Sequence, residues 1–157
     1  MKRLLTLATI ACATLLMTTT SAFADQTFHS VRLSFVPVAD NPLRNGDVVD
    51  IHANGPVNYA IEEYHLNGAT PNASYVVEYL VTGAPFGTPV CGTSVIPFPN
   101  GATISTDANG SGNFQLKISP SFVTGLGLHN TVLGLTWVLL RDGVPAYQTG
   151  CISVGLD

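Results

Sequence analysis

The feature that most constrains this chain is its punctuation. Asn45-Gly46, Asn54-Gly55-Pro56, Asn67-Gly68, the run from Asp107 to Gly112 and Asp142-Gly143 recur along it. Each is the kind of sequence that supplies positive φ or local side-chain bonding to a tight turn. The runs between them are short and rich in β-branched and aromatic residues, and none carries a helical period. A chain interrupted this often builds short strands. Eight or nine of them without an internal repeat predict an all-β fold, a single antiparallel β-sandwich with Greek-key connections, a jelly roll being the alternative topology.

The strands can be placed by their alternation. From Phe28 to Val38, Val31, Leu33 and Phe35 alternate with Ser30, Arg32 and Ser34, the mark of a strand with one buried face. Val49, Ile51 and Ala53 then alternate with Asp50 and His52, which predicts the aliphatic set inward and the acid and imidazole outward. A third strand, from about Asn58 to Leu66, carries Glu62-Glu63, one carboxylate for each face, and reads as a solvated edge strand or a bulged one. Val76 to Val81 is a fourth, and Thr88 to Phe98 a fifth that contains Cys91. Ala102 to Thr106 and Phe114 to Ile118 flank the turn at Asp107 to Gly112, and Pro120 to Asn130 reads as a crossover loop. The apolar run from Thr131 to Leu140 suits a central strand covered on both faces, with Trp137 packed in the core. Val144 to Val154 returns from the tight hairpin turn at Arg141-Asp142-Gly143.

The first residues read as an export signal. Lys2 and Arg3 precede an apolar stretch from Leu4 to Met17, and Ala22-Phe23-Ala24 sets small residues at the cleavage point. Cleavage after Ala24 assigns 1–24 to the signal and 25–157 to the sandwich domain, secreted or periplasmic. Cys12, preceded by Thr9-Ile10-Ala11, fits a lipidation site poorly. No later stretch approaches the roughly 18 apolar residues of a membrane span. Only 10% of the chain is charged, so the solvent face is built from uncharged polar residues. Beyond the signal, Arg32, Arg44, Lys117 and Arg141 stand against all ten acids, a net charge of −6 that excludes a basic surface for nucleic acid or anionic lipid. Two cysteines remain, Cys91 and Cys151. In an oxidising compartment they predict a disulfide closing about 60 residues, for which chain entropy gives roughly 4 kcal/mol.

Ala69-x-Pro71-x-x-x-Tyr75 followed by an apolar strand resembles the tyrosine corner of fibronectin type III and immunoglobulin-like sandwiches. The resemblance implies an immunoglobulin-like fold with Tyr75 buried and its hydroxyl bonded to backbone near Gly68 to Pro71. Thr106 to Phe114 is similar to a hairpin of secreted bacterial sandwich modules of unassigned function. Both similarities imply fold and neither implies activity.

Residues that could carry chemistry are sparse. His29, His52, His65 and His129 stand at no spacing that forces them together, so a copper or zinc site in a periplasmic metal-binding protein is the alternative to scattered surface histidines. Asp47, Asp50, Glu62, Glu63 and Glu78 offer no selected acid and base pair, and no nucleophile elbow or phosphate loop is present. No catalytic residue and no cofactor is therefore assigned. Asp107, Asn109 and Ser111 with Gly112 match the first half of a calcium loop, but its twelfth position is Ile118, so a β-turn is expected. Asn72-Ala-Ser74 and Asn109-Gly-Ser111 are glycosylation patterns, idle behind a bacterial-looking signal. A carbohydrate-binding face would have to use Tyr59, Tyr64, Tyr79 and Tyr147. The expectation is a non-catalytic binding or structural module with an unidentified protein or glycan partner. A carbohydrate- or calcium-dependent module and a metal-binding protein are the alternatives.

Overall fold

The computed structural model describes residues 29–52, 60–128 and 131–156. In chain order the strands are β1 (His29–Ser34), β2 (Val36–Pro37), β3 (Asn45–His52), β4 (Ala60–Asn67), β5 (Ser74–Gly83), β6 (Ile96–Ser105), β7 (Gly112–Ile118), β8 (Thr131–Arg141), β9 (Val144–Gln148) and β10 (Ile152–Leu156). They form two antiparallel sheets that pack together as an all-β sandwich. The first has the order β1-β3-β4-β7 and the second β2-β9-β8-β5-β6, with β10 also paired to β8. No helix of the described residues is long and apolar enough to cross a membrane.

The first expected strand splits at Phe35. Its amide donates to Gly46 O at 2.9 Å, its side chain is buried, and the chain passes there from one sheet to the other. The alternation in β1 is as expected, with Ser30, Arg32 and Ser34 exposed and Val31 and Leu33 half-buried. At the far end, Asp142 and Gly143 take φ of 54° and 77°, the paired positive angles of a tight hairpin turn, and join β8 to β9. β8 lies inside its sheet between β5 and the β9–β10 edge, with Trp137 fully buried.

Four expectations are corrected. β4 is not an edge: β7 crosses over from the end of β6 and pairs along it, setting Glu63 against Gln115 and Tyr64 against Phe114. That partner lies some fifty positions downstream, beyond the reach of local patterning. For the same reason Asp107 to Gly112 is no hairpin, since β6 pairs with β5 and β7 with β4, and the turn bridges the two sheets. Cys91 is not in a strand. Pro89 O accepts from Gly92 N at 3.0 Å, Cys91 takes a φ of 55°, and β6 begins only at Ile96, running on to absorb the expected Ala102 strand. Finally, the loop after Ile118 contains a short helix, α1 (Pro120–Gly125), with proline in its first turn, where a missing N–H costs nothing.

Cys91 and Cys151 are bonded, with Cα atoms 5.7 Å apart, tying the loop after β5 to the break between β9 and β10. The bond runs over Gly134 of β8. A Cβ there would meet Thr82 Oγ1 at 2.2 Å, Cys91 N at 2.5 Å and the Cys151 sulfur at 3.1 Å, so only glycine admits the loop this close.

Candidate functional site

The inner face of β4 carries Ala60, Glu62, Tyr64 and Leu66, all buried. A carboxylate thus stands in the apolar phase of a central strand, 2% exposed, and must find donors. It finds four. Tyr79 Oη of β5 donates to Oε1 at 2.7 Å and Trp137 Nε1 of β8 to the same oxygen at 3.0 Å. Tyr64 Oη donates to Oε2, as does Asn100 Nδ2 of β6 at 2.8 Å. Glu62 therefore fastens the first sheet to three strands of the second. Burial pushes its carboxyl above the ordinary value against the hydrogen bonds from Tyr64 and Tyr79, and the nearby Asp50 pushes the same way. Burial, reinforced by the charge of Glu62, also drives the Tyr64 and Tyr79 hydroxyls well upward.

The neighbouring strand adds a second acid. The β3–β4 ladder sets Asp50 directly opposite Glu62, and Asp50 is likewise 2% exposed. Its Oδ2 lies 2.9 Å from His52 Nε2, while its Oδ1 is buried without a hydrogen-bond partner among the described residues. The expected phase of β3 is thus reversed: Val48, Asp50 and His52 face the core, and Val49 and Ile51 are half-buried on the other side. Both phases of this strand mix aliphatic and polar residues, so alternation alone could not choose. The Asp50–His52 pairing and the contact with β4 decide it.

Of these groups Asp50, His52, Glu62 and Tyr79 line a cavity of about 70 Å³ between the sheets, enough for a few water-sized molecules. Its walls are apolar and come from every layer: Val81 and Phe98 of the second sheet, Ile118 at the end of β7, and Leu133 and Leu135 of β8. Phe122, Val123 and Leu126 of and after α1 cover it, Phe98 and Phe122 meeting edge to face with ring centroids 6.0 Å apart. Phe122 and Leu126 stay 42% and 40% exposed at its rim.

The other singled-out residues fall elsewhere. Tyr75 is fully buried and its hydroxyl accepts from Thr70 N at 3.2 Å, with Tyr147 Oη also at 3.2 Å. Asp107 Oδ1 accepts from Asn109 N at 2.8 Å and Ser111 N at 2.9 Å, and these amides hold the carboxyl below its ordinary value. Gly110, at φ 74°, lies so close to Ala69 that a Cβ would stand 2.0 Å from the Ala69 carbonyl oxygen. Among the described residues no three histidines, cysteines or acids are grouped to hold a metal. His52 is buried, contrary to a surface position, and His65 is exposed. His29 heads β1 opposite His52 in the ladder. The tyrosine platform fails: Tyr64, Tyr79 and Tyr147 are buried at 0, 6 and 0% exposure. Tyr59, His129 and the signal residues 1–24 lie outside the described residues. Glu62, expected on a solvated edge, is instead the centre of the core, and Asn100, which no pattern in the sequence marks, is one of its donors. The available signal was a glutamate in phase with Ala60, Tyr64 and Leu66.

No family model, curated protein or solved structure matches this chain.

Proposed function

We propose that this chain is an exported, immunoglobulin-like sandwich that acts as a non-catalytic binding module, with the cavity beneath α1 as its binding site for a small, largely apolar ligand. The observation that carries the reading is the coincidence, at one place between the sheets, of an apolar cavity with a floor of a few fixed polar groups, the usual composition of a small-molecule site. The commitment of all Glu62 acceptor positions to four donors favours a role in holding the core over one in turnover. The Cys91–Cys151 bond and the leader sequence favour export.

Methyl NMR under xenon pressure tests the binding site, because an apolar cavity of sufficient size takes up xenon. The expected result is a saturable shift confined to methyls of Leu133, Leu135, Val154 and Leu156, which line it. Shifts spread evenly over the molecule, or none, would overturn the site.

A further inference from the structure

Resting on that cavity reading, we propose that the ligand is a small apolar primary amine, its ammonium group seated on Asp50 and its hydrocarbon arm among the aromatic walls. The two facing carboxyl groups differ in one respect. Glu62 has both oxygens filled, two donors on each. Asp50 has His52 on Oδ2 and, among the described residues, nothing on Oδ1, although it is 2% exposed and lines the cavity. A buried carboxylate oxygen without a donor is destabilising, and native cores retain such an atom where something else supplies the donor.

The charge of the surroundings selects the kind of donor. Two acids face one another across the ladder, and among the described residues the one basic side chain lining the cavity beside them is His52. The locality is therefore short of positive charge. An ammonium group supplies both the missing N–H and the missing charge, a hydroxyl supplies only the first, and a carboxylate is repelled. The rest of the cavity suits the arm of such a molecule. Tyr79, Phe86, Phe98 and Phe122 give it aromatic walls, which favour a cation near their faces and an aliphatic chain against them.

Thermal unfolding and calorimetric titration of the full exported chain with n-butylammonium chloride, n-butanol, sodium butyrate and ammonium chloride at matched ionic strength test the inference. The expected order is butylammonium first, butanol binding about tenfold or more weakly, as a charge-assisted bond at a buried site implies, and butyrate and ammonium not at all. Asp50→Asn should reduce butylammonium to the level of butanol. The ligand series decides the matter on the unmodified protein even if that variant does not fold, and Leu126→Trp at the rim should weaken butanol and butylammonium together. Butanol binding as tightly as butylammonium overturns the amine assignment and leaves the cavity reading standing. Ammonium chloride acting as well as butylammonium overturns it in favour of a plain inorganic cation. If none of the four binds and xenon also fails, the cavity reading falls with it.

Discussion

The two ends of this sandwich solve the same problem in opposite ways. At the end formed by the β4–β5 connection, the β6–β7 turn and the β8–β9 hairpin, the hydroxyl groups that come together find protein partners, and the one buried acid oxygen near it without a hydrogen bond among the described residues, Asp47 Oδ1, has the Arg32 guanidinium 4.0 Å away. Tyr147 Oη donates to Pro42 O at 2.6 Å and lies 3.2 Å from Tyr75 Oη, Thr106 Oγ1 donates to Thr70 O at 2.7 Å, and Arg141 donates to Thr70 Oγ1. Burial and the Tyr75 hydroxyl raise Tyr147 above its ordinary value. At the other end the sheets part around a cavity, an acid oxygen goes unmatched, and Phe122 and Leu126 remain exposed. The closed end shows what this sequence does where stability alone is served. The open end departs from that standard, and departures of this kind concentrate where a protein binds.

The sharpest test of the contrast lies at the boundary between the ends. Glu62→Ala leaves two tyrosine hydroxyls and the Trp137 N–H without their acceptor in the core, and leaves the Asn100 amide only Tyr64 Oη at 2.8 Å, and should lower the unfolding free energy by about 5 kcal/mol in urea titration. A loss below about 1 kcal/mol would mean that the core repacks without it and that the cavity has no fixed floor. The same carboxyl gives a pH signature. Its value in the folded chain lies above that in the unfolded chain, so the folded state binds the proton more tightly. The stability it contributes is full at low pH and declines as pH rises from the ordinary carboxylate range through the raised value. Melting temperature measured across that window should fall with pH, and Glu62→Gln should flatten the slope.

Next in size is the disulfide of the open end. Its 60-residue separation predicts a loss of about 4 kcal/mol on reduction or in Cys91→Ser paired with Cys151→Ser. Hydrogen exchange should show the protection lost first around residues 84–95 and β10. Uniform loss over both ends would erase the distinction drawn between them.

The closed end should respond less, because its contacts are many and individually small. Tyr75→Phe removes one hydroxyl from a shared set and should cost about 1 kcal/mol by denaturant unfolding. A parental midpoint would show that Thr70 and Tyr147 are satisfied without it.

The smallest expected effect is none. Asp107 already spends one oxygen on two backbone amides, so micromolar calcium should leave the melting temperature of metal-free protein unchanged. A rise that disappears in Asp107→Ala would turn the closed end into a second binding site.

Several elements were legible before any coordinates. Turn chemistry located Asp142-Gly143, alternation located the exposed and half-buried faces of β1, and cysteine count paired Cys91 with Cys151. These signals work because their causes are local: a φ angle, a pleat of period two, a closed set of two thiols. The phase of β3, the interior position of β4 and the crossing at Asp107 to Gly112 were not legible, because each depends on a strand far away in sequence.

What the sequence determined by itself is the class of fold: short strands of period two, cut by residues that favour tight turns, in a chain with too little charge and too many turns for long helices. What only the tertiary structure decided is the meaning of its acids. Glu62 reads as a surface residue by type, and it becomes the centre of the core because Tyr79, Asn100 and Trp137, the last 75 positions away, bring their donors to it across the gap between the sheets. Asp50 is left with an oxygen unmatched because no such partner arrives from the described residues. A carboxylate's solvation depends on what surrounds it in space, and period, composition and spacing record only its neighbours along the chain.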